Sequence, residues 1–272
     1  MTAGPPGSSG PPYPEPPHPG PALPGWPGPE PPRGRFGLRP DPPAPRRGWA
    51  VRLFLIAEAV FLAVSALVGE LLGIDDAGAG GILAAIAVPT VTAAVVALLL
   101  TRWLGNGPRS DLGLRWNWDD VAVGLITGLG GLLLTVPAAL VYAWVVGPEG
   151  MSTAVGDVFG GVRTTWPVAL AVMAVVVLLA PLCEEILYRG LLWRAVEKHM
   201  HNQWLVYLIT TVVFAFAHFE LTRTPLLFVV ALPLGLARML TGRLTASVVA
   251  HQINNFLPGL ALALMLTGVV PG

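Results

Sequence analysis

From Trp49 onward the chain alternates long apolar runs with short polar breaks. The runs lie near 49–72, 80–103, 119–147, 167–187, 203–222, 225–241 and 245–269. They have the length needed to cross a hydrocarbon layer. The third is long enough to tilt or to include an interfacial turn, and the sixth is short and carries Pro233. A lone strand in lipid would leave its peptide groups unpaired, so each run predicts a helix. The fold class expected is all-α: a polytopic transmembrane bundle of about seven spans. Trp49, Trp103, Trp116, Trp118, Trp166 and Trp204 fall at span ends, where aromatic side chains anchor helices in the interface.

Residues 1–48 follow a different rule. They hold 18 of the 28 prolines, many glycines and no apolar run. Such a stretch cannot bury enough surface to offset its ordering entropy, so it reads as a disordered, partly polyproline tail. Nothing near Met1 has the basic-then-apolar pattern of a signal peptide. Segments such as "PPYPEPPHPG" suit either a solvated tether or a ligand for a proline-reading partner. Three regions result: the tail at 1–48, N-terminal membrane helices at 49–147, and a core at 165–260 within a second membrane region, 148–272.

Composition agrees. Apolar residues make up 54% of the chain and charged ones 12%, about half the share of an ordinary soluble domain. Net charge is zero, so no basic field exists to attract nucleic acid. The single cysteine, Cys183, excludes an intrachain disulfide and reads as a small apolar residue. Arg33, Arg35, Arg39, Arg46, Arg47 and Arg52 precede or open the first span, which predicts a cytoplasmic tail in the cell membrane. Arg102, Arg109 and Arg115, then Arg194 and Lys198, then Arg238 and Arg243, mark further loops on that side.

Ionisable side chains inside membrane helices are costly and usually functional. In "LLAPLCEEILYRGLLWRAV" two glutamates interrupt an apolar run. Glu185 and Arg189 stand four apart, acid first, the favoured order for an ion pair. Glu184 points about 100° away, so one carboxylate can be paired while the other stays available. In "VVFAFAHFE", His218 follows Phe214 by one turn. In "SVVAHQINNFLPG", His251 and Asn255 share a face, with Asn254 close to it. From Glu184 to a turn near His201 is roughly 25 Å of helix, and the return to His218 is the same length. An antiparallel hairpin would therefore set Glu184 and His218 at matching depth. Glu58 and Glu70, in or near the first span, are suited to pairing with arginines or to facing the cavity.

Taken together, "EEILYR" (184–189), "FAFAH" (214–218) and "HQINN" (251–255) resemble the three motifs of the CAAX-protease and bacteriocin-processing family, also called CPBP or Abi. That family contains the type II CAAX prenyl proteases. The resemblance covers about 165–260 and implies an intramembrane endopeptidase acting on a membrane protein or peptide. It implies that Glu184 and His218 hold and deprotonate the attacking water, and that His251 and Asn255 stabilise the oxyanion. Glu185 and Arg189 become an orienting ion pair. The physics agrees: a carboxylate in an apolar site holds a proton more tightly and so is a better base near neutral pH. Preorganised donors in a dry cavity stabilise developing charge far better than in water.

Metal dependence stays open at this level. Glu184, His218 and His251 are also a zinc set with an open fourth position, but no HExxH is present, and no obligatory metal is expected. Each motif also has a bland reading: a buried structural pair for Glu185–Arg189, helix-packing hydrogen bonds for the histidines. A catalytically silent scaffold or immunity protein of the same fold is one alternative. A transporter is another, but it would want ionisable groups along a pathway and symmetry between halves, and neither is visible.

Overall fold

A computed structural model describes residues 50–72, 78–147, 162–200 and 202–270. The tail at 1–48 and Trp49 lie outside the described residues. Among those described, every regular element is a helix, in the order α1 (Ala50–Leu72), α2 (Ala79–Leu104), α3 (Pro108–Asp111), α4 (Trp118–Val146), α5 (Trp166–Glu197), α6 (Gln203–Phe216), α7 (Thr224–Thr241) and α8 (Leu244–Leu266).

Six of these, α1, α2, α4, α5, α7 and α8, are long and apolar enough to cross a membrane. With these six spans, the chain is a multi-pass membrane protein. The run expected at 203–222 gives only the 14-residue α6, roughly 21 Å of helix and short of a full crossing. Local chemistry sets the ends. Asn117 caps α4 by accepting the N–H of Asp119, and Asn202 caps α6 by accepting that of Trp204. Gly242, left-handed at φ 66°, closes α7.

The bundle is held by close helix approach. On α4, a Cβ at Gly124 would lie 2.6 Å from the Ala246 carbonyl oxygen, and one at Gly128 would lie 3.0 Å from the Ala250 Cα. Only glycine admits α8 at this distance, as in other small-residue seams of membrane helices. Trp103, Trp116, Trp118, Trp166 and Trp204 are all exposed at helix ends, as interface anchors should be.

Two expectations need correction. Arg238 is not a loop residue: α7 runs through it to Thr241, and its side chain is buried. Its guanidinium stacks over the Trp193 ring, and its Nε donates to the Arg189 carbonyl at 2.8 Å. Nor is α5 a regular α-helix. It contains two π-helical stretches, Val175–Leu179 and Ile186–Leu192, on either side of the glutamates.

Proline accounts for part of this. In the first π stretch the N–H of Ala180 reaches back five residues to the Val175 carbonyl. In that register the Val176 carbonyl would take the N–H of residue 181, which is proline and has none. Asn255 of α8 supplies the missing donor, its Nδ2 lying 3.1 Å from the Val176 oxygen. One turn earlier, Gln252 donates to the Leu178 carbonyl at 3.4 Å.

Candidate active site

The glutamates sit at the junction of an α segment, Ala180–Glu185, and the second π stretch. π-bulges inside α-helices are frequent at functional sites. Glu185 and Arg189 are fully buried, 3.1 Å apart. The Arg189 guanidinium also donates to the Ala231 carbonyl of α7 at 3.3 Å and lies 4.2 Å over the centre of the Phe214 ring. Three helices thus hold one cation.

Phe214 organises the site. Its ring meets Tyr188 at 5.2 Å, His218 at 4.8 Å and His251 at 5.7 Å between centroids, each edge-on. Because α5 and α6 run antiparallel, Phe214 against Arg189 sets His218, one turn further along α6, opposite Glu185, one turn back along α5. The matching depth expected from helix lengths therefore holds. His218 follows the end of α6 in a tight turn, with Phe219 in the left-handed region at φ 55°. An ion pair between Glu220 and Arg223 closes that turn. The His218 Nδ1 lies 2.9 Å from the Phe214 carbonyl oxygen. A carbonyl oxygen can only accept, so Nδ1 carries a hydrogen, and in the neutral ring Nε2 is the nitrogen with the lone pair.

His251 stands between the two glutamates. Its Nδ1 lies 2.9 Å from Glu185 Oε1, and its Nε2 lies 3.8 Å from Glu184 Oε2. Glu184 is the outward member of the pair, with a quarter of its side chain exposed, whereas Glu185 has none. The geometry separates the carboxylates as the spacing predicts: one is spent on Arg189 and His251, the other faces open space.

Five of the six predicted residues, Glu184, Glu185, Arg189, His218 and His251, gather around Phe214. Asn255 lies one turn beyond His251 with one amide hydrogen on the Val176 carbonyl and a second left over. Asn254 does not join them: its amide bridges Ala250 and Thr135 and ties α8 to α4. Among the described residues, no three His, Cys, Asp or Glu side chains form a metal-holding group.

The sequence reading passed over three contributors. Tyr188 lies within "EEILYR" and packs on both Phe214 and Phe54. Arg238 clamps the π stretch from α7, and as an arginine inside an apolar run it carried a readable signal. Pro181, two residues after the π stretch, explains why Asn255 is needed at all.

Residues 165–257, a third of the chain, match the family model described as type II CAAX prenyl endopeptidase Rce1-like. The resemblance read from the three motifs is thereby shown, and the matched segment is that of a protease family. No curated protein and no solved structure matches the chain.

Proposed function

We propose that the chain is an intramembrane endopeptidase that hydrolyses a peptide bond of a membrane-associated protein or peptide, with Glu184 as the base that activates water. The observation that carries this reading is the unequal pair. Glu185 is fully buried and engaged through its Oε1 by both Arg189 and His251, while Glu184, its neighbour, is partly open and comes within 3.8 Å of an imidazole. A structural ion pair needs one carboxylate; chemistry needs the second.

In this reading Glu184 and the His218 Nε2 hold the water. Its oxygen attacks the scissile carbonyl carbon while its proton passes to Glu184. The oxyanion is met by His251 and by the second amide hydrogen of Asn255. Glu184 then returns the proton to the leaving amine, giving a carboxylic acid and an amine. Glu185 and Arg189 orient His251 throughout. The water is activated by the carboxylate alone, so chelation should leave the rate unchanged and the purified protein should carry less than stoichiometric metal.

The ionisable groups gather at one point instead of tracing a path across the bundle, which speaks against a transporter. The reading extends to a cell-membrane location with the tail in the cytoplasm, where a proline-reading partner would meet it. The decisive experiment compares membrane peptide termini in cells carrying the wild type or Glu184→Ala. Termini that vanish in the variant identify the substrate. An unchanged set, with the protein present at normal levels, would overturn the peptidase reading.

A further inference from the structure

In each π stretch of α5 a side chain from another helix donates to a backbone carbonyl. In the first, Asn255 of α8 serves the Val176 oxygen. In the second, the Trp193 N–H reaches the Tyr188 and Gly190 carbonyls and passes over that of Arg189. An α-helix would have aimed this N–H at Arg189, four residues back. The donor that meets the Arg189 carbonyl here is Nε of Arg238, at 2.8 Å. It comes from α7, and both arginines are buried. A buried carbonyl deprived of a donor is costly, so this contact favours the register in which it is made.

The seat of Arg238 is built in part by the loop between α3 and α4, which lies outside residues 165–257. Trp193 carries the guanidinium over its ring, 5.6 Å from the centroid. Gly113, left-handed at φ 71°, leaves room for it: a Cβ there would lie 3.2 Å from Arg238 Nη1. Its neighbour Leu112 is fully buried and meets the π stretch itself, since a Cβ at Gly190 would lie 3.2 Å from the Leu112 Cβ. The Gly113 carbonyl accepts the N–H of Leu244, which ties the loop to the first turn of α8. Loop, α7 and π stretch close on one carbonyl.

That carbonyl belongs to the residue whose guanidinium pairs with Glu185 and lies over Phe214. We propose that Arg238 is a positioning residue of the active site: its hydrogen bond to the Arg189 carbonyl holds the second π stretch in register and so sets Glu185 against His251. Arg238 touches no reacting atom and acts through Arg189. The path is short, with Arg189 3.1 Å from Glu185 Oε1 and the same oxygen 2.9 Å from His251 Nδ1. A misplacement of about 1 Å in such a chain can cost about 10²-fold in rate. The loop before α4 thereby belongs to the machinery, although no motif marks it.

The purpose of this contact rests on the peptidase reading, yet the contact can be tested without a substrate. Arg238→Gln keeps an N–H donor as many bonds from the backbone as Nε, whereas Arg238→Met puts a methyl there. Both remove the charge and the far end of the side chain, so they differ chiefly in the donor. In lipid nanodiscs, hydrogen exchange over Ile186–Leu192 should be about tenfold faster in Arg238→Met and near wild type in Arg238→Gln. With a substrate in hand, Arg238→Met should lower kcat by about 10–100-fold with KM unchanged, and Arg238→Gln should restore most of it. A loss of charge or packing would affect both variants alike, and that result would overturn the proposal. Should Arg238→Met fail to fold, Gly113→Ala carries the test, because its methyl displaces the guanidinium; unchanged exchange over the π stretch would then overturn it. Donor-dependent exchange in a protein that cleaves nothing would spare this inference and sink the peptidase reading.

Discussion

Two ionic clusters in this protein use similar residues in opposite ways. At the loop end of the bundle, Arg243 grips Asp120 with two hydrogen bonds of 2.6 Å. That bidentate contact pushes the Arg243 guanidinium above the ordinary arginine range. Nearby, Arg194 joins Glu197 and also takes the carbonyls of Asp111 and Ser110. Asp111 in turn accepts the backbone and side-chain N–H groups of Asn106. Here the carboxylates have close, geometrically good donors, and the cluster staples the α2–α4 connection to α5 and α8. At the Phe214 cluster the bookkeeping is left open: Glu184 has an imidazole at 3.8 Å, and the buried Glu185 Oε2 and Arg189 Nε have no hydrogen-bond partner. Saturated charge holds helices together, and unsaturated charge is available to react.

Substitutions can break this contrast. The largest effect expected is from Glu184→Gln, which should lower turnover by about 10²–10⁴-fold while leaving the melting temperature in detergent unchanged. Turnover within about tenfold of wild type would remove Glu184 from the role of base. Arg189→Ala sits on the border between the clusters. It strands Glu185 in a dry site at a cost of about 3–5 kcal/mol and should depress both stability and activity. Replacing both Glu185 and Arg189 by neutral residues should recover part of the stability but none of the activity, and a strictly additive thermal melt would argue against a coupled pair.

Asn255→Ala should reduce turnover by about 10²–10³-fold if the amide meets the oxyanion. Pro181→Ala sharpens the test, because an alanine at 181 returns an N–H to the Val176 carbonyl. If Asn255 serves only that carbonyl, the Pro181→Ala background should restore activity to Asn255→Ala. The expected result is no restoration. The smallest functional effect belongs to Arg243→Ala, which should cost about 2 kcal/mol of stability, yet leave kcat of the folded protein as in wild type. A kcat loss at a temperature well below its melt would show that the two clusters are coupled.

Much of the architecture could be read from the sequence because the bilayer constrains it so strongly. Five of the six observed spans begin and end within a few residues of the apolar runs, while α5 continues ten residues past the run at 167–187, and the antiparallel placement of Glu184 and His218 followed from counting residues. The site was legible because carboxylates and histidines are rare in such runs. Other features were not. A π stretch leaves no mark in hydropathy, since it depends on backbone register and on what proline withholds. Arg238 was misplaced because an arginine near the end of a span reads as a loop marker until its stacking partner, Trp193, is seen. Glu58 could be noticed but not placed, because nothing in one helix states which neighbour its face will meet.

The second π stretch has a consequence for how this site tolerates insertions and deletions. A π turn holds an extra residue relative to an α turn, so Ile186–Leu192 behaves as a one-residue length reserve between the glutamates and the rest of α5. Removing a single residue there would let the helix relax to ordinary α geometry. The helix beyond Leu192 would then keep its phase, whereas the same deletion in an α segment would swing everything after it by about 100°. Within the stretch itself, the contacts of Arg189 with Phe214 and of its carbonyl with Arg238 would shift. The reading frame of the helix, as much as the identity of any residue on it, keeps the base and its supporting cation in phase.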